Sequence, residues 1–518
     1  MEYYFTETRR RSMRACGILL PISSLPSLHG IGCFSKAAYE FVDQLAEAGQ
    51  TYWQILPLGP TGYGDSPYQS FSAFAGNPYF IDLDTLAQEG LLKPEEYETL
   101  DFGEEEGCVD YAKLYENRFP VLKKAFLRAD LEHDASFQKF CSEQEAWLSD
   151  YSLYMAVKNH FDGKSWGEWD EDIRLRKPEA VARYRELCRE EIAFYSFLQY
   201  KFMEQWMKLK AYANSRGIRI IGDIPIYVAF DGSDSWASPE LFQFNENCRP
   251  VKVAGCPPDA FSADGQLWGN PLYDWDYHEQ TGYAWWIQRL EHCFRLYDVV
   301  RVDHFRGFDE FYSIPYGDKT AANGSWQKGP GMKLFNALKE HFGVVPIIAE
   351  DLGYLTDSVM KLVADTGYPG MKVMEFAFDS REAGDYMPYN YTHNCVVYTG
   401  THDNQTLASW YDELTQEDRS LAEEYLDLKG RSRDEIVWSF IRLTLGSVAD
   451  TAVIPMQDYL CLGEEARMNQ PSTLGKNWRW RMKAGELTDE LIGRIGKMAE
   501  VYGRKNSEGS TVLSREHQ

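Results

Sequence analysis

No stretch of this 518-residue chain approaches the run of about 20 apolar side chains that a bilayer-spanning helix requires, so no membrane partner is expected. Positive charge is also scarce: 53 Lys and Arg against 79 Asp and Glu leave a formal net charge of −26. A chain this acidic repels phosphate, so nucleic acid is not expected as a partner. The one short basic run, Arg9-Arg10-Arg11, reads as a solvated N-terminal arm. Met1 to Arg14 lacks a charged tip followed by an apolar block, so no signal peptide is expected. The ten cysteines contain no Cys-x-x-Cys pair and read as reduced thiols of a cytoplasmic protein; a zinc site is not expected from that spacing. There is no internal repeat and no Gly-x-Ser-x-Gly elbow for a serine nucleophile.

What is present suffices for a large core: 44% of residues are hydrophobic and 25% are charged, a balance that argues against disorder. Eight short apolar runs recur, each ending in polar, Gly or Pro residues: Gly17 to Pro21, Tyr52 to Leu58, Arg219 to Val228, Val299 to Asp303, Pro346 to Asp351, Gly370 to Phe376, Cys395 to Asp403 and Ala452 to Asp458. Near-continuous apolar strands separated by helical stretches indicate a parallel sheet buried on both faces. Eight such units predict an α/β fold, a (β/α)8 TIM barrel that absorbs the whole chain, 1–518, as a single catalytic domain. Two insertions are expected. Residues 85–215 read as mainly helical after the second strand, on stripes such as Tyr115, Phe119, Leu122 and Phe126, and Phe202, Trp206 and Leu209. Residues 231–273, rich in Gly, Pro, Ser and Asp, read as a loop region after the third strand. The tail after Gly503 is expected to fray.

The reactive end of such a barrel is the C-terminal end of its strands. Acids arrive there repeatedly: Asp223 near the end of the third run, Asp303 at the end of the fourth, Glu350 at the end of the fifth and Asp403 at the end of the seventh. Strand alternation puts Arg301 and Asp303 on one side, where the guanidinium would lower the Asp303 pKa and suit it to nucleophilic attack; an Arg–Asp pair of purely structural purpose satisfies the same pattern. Glu350 follows apolar residues, a setting that raises a carboxyl pKa toward that of a general acid; alone, it also reads as a strand-end acid reaching solvent. His402, Asp403 and Glu350 could make a metal set, but no His-x-x-x-His spacing supports it. Acids converging from three strands fit glycoside chemistry, in which one carboxylate attacks, one shuttles a proton and a third binds sugar hydroxyls.

The ordered stretches Gly62-Tyr63-Gly64-Asp65-Ser66-Pro67-Tyr68, Ala254-Gly255-Cys256-Pro257-Pro258-Asp259-Ala260-Phe261, Gly265-Gln266-Leu267-Trp268-Gly269, Arg301-Val302-Asp303-His304-Phe305-Arg306-Gly307, Ala349-Glu350-Asp351-Leu352-Gly353 and Thr401-His402-Asp403-Asn404 carry a resemblance to the amylomaltases, or 4-α-glucanotransferases, from about Gly17 to Arg481. The resemblance implies a retaining transfer of α-1,4-glucan segments to the 4-hydroxyl of an acceptor, with Asp303 as nucleophile, Glu350 as acid/base and Asp403 as stabiliser of the transition state. It implies Arg301 and His402 as ligands of the sugar at the cleavage point and Tyr68 as the ring stacked on it. Ser66, Asp223, Trp268 and Asp379 become further wall residues, and the loop from Gly255 to Phe261 a lid over the cleft. It also implies maltooligosaccharides and starch- or glycogen-derived chains as partners, and no metal or organic cofactor. In one place the sequence departs from the family pattern: Ser409, not Gly, precedes Trp410, which could alter a loop bend. A hydrolase of the same chains, with water as acceptor, and a non-catalytic glucan-binding barrel remain as alternatives.

Overall fold

Residues 14–506 are described, apart from 63, 104, 259–263, 354 and 380–383, in a computed structural model of the chain. Twelve strands run through them in chain order: β1 (Ala15–Leu19), β2 (Tyr52–Gln54), β3 (Arg219–Pro225), β4 (Lys252–Cys256), β5 (Gln266–Pro271), β6 (Val299–Asp303), β7 (Glu310–Pro315), β8 (Ser325–Lys328), β9 (Ile347–Ala349), β10 (Gly370–Val373), β11 (Cys395–Tyr398) and β12 (Thr451–Pro455). Eight of them form one parallel sheet in the order β10-β11-β12-β1-β2-β3-β6-β9. Each falls inside, or within one or two residues of, an apolar run read from the sequence.

The sheet curls until its outer strands meet. Ala349 N–H at the end of β9 donates to the Pro369 carbonyl just before β10 (2.9 Å). Beyond that contact the Asp351 carboxylate accepts the Met371 N–H (2.6 Å), so a side chain takes over where the ladder stops. The result is a nearly closed barrel flanked by helices, the (β/α)8 architecture. Its strands are apolar throughout because both faces are covered: Val300, Val302, Ile347, Ile348, Val396, Val397, Val453 and Ile454 are all buried.

Between β2 and β3 the chain is helical, with helices at Leu83–Gln88, Tyr111–Arg128, Ala135–Glu143, Glu145–His160, Glu171–Arg174, Pro178–Leu187 and Arg189–Ser215. Aspartates cap several of them; Asp110 accepts from the Lys113 N–H and Asp134 from those of Ser136 and Phe137. Phe202, Trp206 and Leu209 are buried, as their spacing suggests. The stripe on Tyr111–Arg128 is rotated from its expected position. Tyr115 is 68% exposed, and the inward face consists of Leu114, Arg118, Val121, Leu122, Ala125 and Phe126. Burying Arg118 is feasible because its guanidinium donates to the carbonyls of His29 and Ile81.

Three other expectations need correction. The stretch 231–273 is not all loop: it holds the helix Ser233–Ala237 and strands β4 and β5, which join β7 and β8 in a four-stranded antiparallel sheet ordered β5-β4-β7-β8. Part of the expected lid, 259–261, lies outside the described residues. Ser409 sits inside the helix Leu407–Glu413, where its hydroxyl donates to Glu464, so it makes no loop bend. The chain past Gly503 does not fray at once, since Arg504 is fully buried against backbone carbonyls.

Candidate active site

At the C-terminal end of the barrel, register alone places three of the singled-out residues together. Asp223 on β3 is the cross-strand neighbour of Arg301 on β6, and Asp303 lies two residues further along the same face. Arg301 is almost fully buried and bridges both acids. Its Nη1 donates to both Asp223 oxygens (2.8 and 2.7 Å), and Nη2 donates to Asp303 Oδ1 (3.0 Å). The Met371 sulfur lies 3.3 Å from Nε. Asp223 has no exposed surface, and its Oδ2 also accepts the Tyr68 hydroxyl (2.7 Å).

Tyr68 links this group to the next strand end. Its ring stacks on that of His402, with centroids 5.1 Å apart and planes 13° from parallel. The Ser66 hydroxyl accepts the Tyr68 N–H (3.3 Å) and fixes the turn that presents the ring. His402 Nε2 is 3.5 Å from Asp403 Oδ2. Asp403 is the most open of the acids, its side chain 46% exposed; Asn469 donates to its Oδ1 (2.6 Å).

Glu350 follows β9 directly. It accepts N–H bonds from Leu352 (2.9 Å) and from His304 (2.6 Å). The second bond requires an unusual backbone: His304 has φ +54°, a left-handed conformation that costs a side-chain-bearing residue about 1–2 kcal/mol and here turns its N–H toward Glu350. The His304 ring meets Trp268 of β5 edge-on at 4.8 Å, which ties the second sheet to the residue next to Asp303. Asp379 ends the single turn Met374–Phe378 after β10, at the same end of the barrel and half-buried.

Burial is the largest influence on both central carboxyls. It pushes Asp303 up to about 6, against the pull of Arg301 and with the charges of Asp223 and Asp403 adding to the rise. It pushes Glu350 up to about 7, with the Asp303 charge reinforcing the shift and Arg301 opposing it. The sequence reading for Glu350 has the right direction. For Asp303 it does not: Arg301 does stabilise the anion, but it divides its charge with Asp223, and desolvation prevails. Glu350 is left as the group that keeps its proton when Asp303 has lost one, the division of labour an acid and a nucleophile require.

Several contacts were not legible in the sequence. Trp478 packs against Tyr68 and His402, with centroids at 5.8 and 5.9 Å. The aromatic–basic alternation Asn477-Trp478-Arg479-Trp480-Arg481 was the available signal. Asn469, which steadies Asp403, had none. Met371 is an ordinary strand residue whose relation to Arg301 depends on closure of the barrel.

Known proteins match this chain over nearly its whole length. A family model described as 4-alpha-glucanotransferase matches residues 20–488. A 4-alpha-glucanotransferase of Clostridium butyricum is 51% identical over 485 residues, covering 93% of this chain and 99% of that protein. One from Thermus thermophilus is 47% identical, covering 95% and 99%. Among solved structures, an amylomaltase from Streptococcus agalactiae in complex with acarbose superposes with a TM-score of 0.92 at 44% identity, covering 95% of this chain and all of that one. With fold and sequence in agreement over nearly the whole length, the chain belongs to the 4-α-glucanotransferase family.

Proposed function

We propose that this protein cleaves α-1,4-glucan chains and transfers the freed segment to the 4-hydroxyl of an acceptor glucan or glucose, with retention of configuration. The observation that carries the mechanism is the pairing of Asp303, oriented by Arg301, with the more basic Glu350 beside it. In the first step Glu350 gives its proton to the glycosidic oxygen as Asp303 attacks the anomeric carbon, which leaves a glycosyl–Asp303 ester and a free chain end. In the second, the Glu350 carboxylate takes the proton of the acceptor hydroxyl, whose oxygen displaces Asp303. Asp403 faces the cleft, where its charge opposes the positive charge that develops on the sugar ring. Arg301, His402, Ser66, Tyr68, Asp223 and Trp268 form the floor and walls around that sugar, with Asp379 at the rim.

Transfer rather than hydrolysis is favoured by the insertion 231–273, whose strand β5 sets Trp268 against His304, next to Asp303. Water at about 55 M loses to a sugar hydroxyl only if binding energy positions that hydroxyl, and effective molarities of about 10⁵ M or more for held groups suffice. The substrates are maltooligosaccharides and starch- or glycogen-derived chains. No metal or organic cofactor enters this chemistry, and no group of three or more His, Cys, Asp or Glu among the described residues could hold a metal ion. Ten free cysteines fit work in a reducing cytoplasm, and a net charge of −26 repels nucleic acid phosphate.

Incubation with maltotriose tests the reading. Glucose and a ladder of longer chains are expected, with almost no net gain in reducing ends. A steady rise in reducing ends with no product longer than the substrate would replace transfer by hydrolysis.

A further inference from the structure

The turn that carries His402 and Asp403 rests on a buried acid outside the chemistry just described. Glu375, in the first turn after β10, is 5% exposed, and its N–H donates to the Thr399 carbonyl (3.1 Å). Its carboxyl is pressed against Gly400: a Cβ placed there would lie 2.7 Å from Glu375 Oε1 and 3.3 Å from the Asn404 Cβ, so a side chain at 400 would push the acid aside. The Asn404 side chain crosses the same point, beside the carboxyl. Asn404 Oδ1 accepts the Thr401 N–H (2.9 Å) and hydroxyl (2.8 Å). The Thr401 hydroxyl oxygen in turn accepts the Asp403 N–H (3.3 Å). Glu375 therefore packs beneath Gly400 and beside Asn404, and hydrogen bonds lead on from Asn404 through Thr401 to the backbone of Asp403.

The charged surroundings decide the state of Glu375. A second buried acid, Asp458 after β12, braces the same turn from the other flank, accepting the Thr399 hydroxyl and the Leu407 N–H (2.8 Å). The cation facing the pair is Arg467, whose Nε is committed to the Asn469 carbonyl (3.0 Å) and whose Nη atoms reach Glu464 and the Asp403 carbonyl (both 3.4 Å). Glu375 Oε1 has no hydrogen-bond partner, a state that a buried anion tolerates poorly and a neutral carboxyl far better. Burial first, and the Asp458 charge second, hold its carboxyl well above the usual range.

We infer that Glu375 is a positioning residue for Asp403: packed beneath Gly400 and beside Asn404, it braces the Thr401 turn and fixes the direction in which Asp403 meets the reacting sugar. This rests on the role proposed above for Asp403. Glutamine reproduces the shape and the acceptor of a neutral carboxyl, whereas leucine keeps only the bulk. Displacing a transition-state group by about 1 Å costs on the order of 10²-fold in rate. Ground-state binding made elsewhere persists, so the loss falls on kcat rather than KM.

The experiment compares Glu375→Leu, Glu375→Gln, Asn404→Ala and Asp403→Asn with the parent enzyme, on maltotriose and on a nitrophenyl maltoside. Glu375→Leu is expected to lose about 10²-fold in kcat on both donors, because the Asp403 contribution does not depend on the leaving group, with KM nearly unchanged. Glu375→Gln should restore most of that loss. Asn404→Ala, which cuts the same link without opening the core, should repeat the kcat defect and decides the matter if Glu375→Leu fails to fold. Parental kcat in Glu375→Leu or Asn404→Ala, or a Glu375→Gln enzyme as impaired as Glu375→Leu, overturns the inference. Asp403→Asn separates the two levels: if it remains active, the role given to Asp403 falls; if it is inactive while Glu375→Leu is unimpaired, only the positioning role falls.

Discussion

The contest between desolvation and charge at Asp303 and Glu350 sets the pH range in which the site can work. Asp303 must be ionised to attack, so activity is lost as pH falls through about 6; Glu350 must be protonated to assist departure, so activity is lost as pH rises through about 7. The expected kcat/KM profile is a narrow bell with limbs near those values. They belong to the coupled pair, because the Asp303 charge raises Glu350. Glu350→Gln should slow maltotriose turnover by about 10²–10⁴-fold while sparing glycosyl-enzyme formation from a donor whose leaving group needs no proton. With that donor the alkaline limb should vanish and the acidic limb remain. Equal loss on both donors would remove the acid role from Glu350. The sequence showed which side of β6 Arg301 and Asp303 share, but not that Asp223 takes two of the bonds from Arg301, because that depends on the neighbouring strand and its register.

At the level of elements, the parallel strands were legible and the antiparallel ones were not. A barrel strand covered on both faces needs a continuous apolar run, which stands out in any sequence. The strands β5 and β8 have no such need: Leu267 and Trp326 are more than a third exposed, all four residues of β8 face solvent, and β5 ends in Gly269-Asn270-Pro271. Their pairing is non-local, with β4 opposite β7 from Lys252↔Pro315 to Gly255↔Tyr312. That sheet anchors both ends of the loop between Cys256 and Gln266, which stay paired with each other. Shortening the segment from Gly255 to Phe261 by two or three residues should raise the ratio of hydrolysis to transfer severalfold, since water reaches the glycosyl–Asp303 ester more easily. Reducing ends measured against the chain-length ladder give that ratio. An unchanged ratio in a variant that still transfers would deny the loop its lid role.

For the whole molecule, the first and last barrel strands are pinned together at the end opposite the chemistry. Arg504 donates to the carbonyls of Leu445 (2.7 Å), Ala15 (2.9 Å), Ala449 (2.8 Å), Ser447 (3.2 Å) and Asp450 (3.3 Å). It thereby ties the last described helix to the starts of β1 and β12. Replacing it by alanine strands several buried acceptors at about 1–3 kcal/mol each, so the urea midpoint should fall by the equivalent of at least about 3 kcal/mol. The kcat of the folded fraction should not change, because the reacting residues lie across the barrel. An unchanged midpoint would mean that water replaces the guanidinium at no cost.

The sequence by itself determined the barrel and the acids at its rim. Apolar runs of strand length repeat eight times whatever the tertiary detail, and a strand end that must deliver Asp303, Glu350 or Asp403 has to be spelled locally. Only the tertiary structure decided how those groups are held and charged. Bonds such as Tyr68 to Asp223, Asn469 to Asp403 and Arg504 to Ala15 join positions 155, 66 and 489 residues apart. The protonation balance follows burial, which no residue carries in its own letter; it arises when the barrel closes and water is excluded from the site.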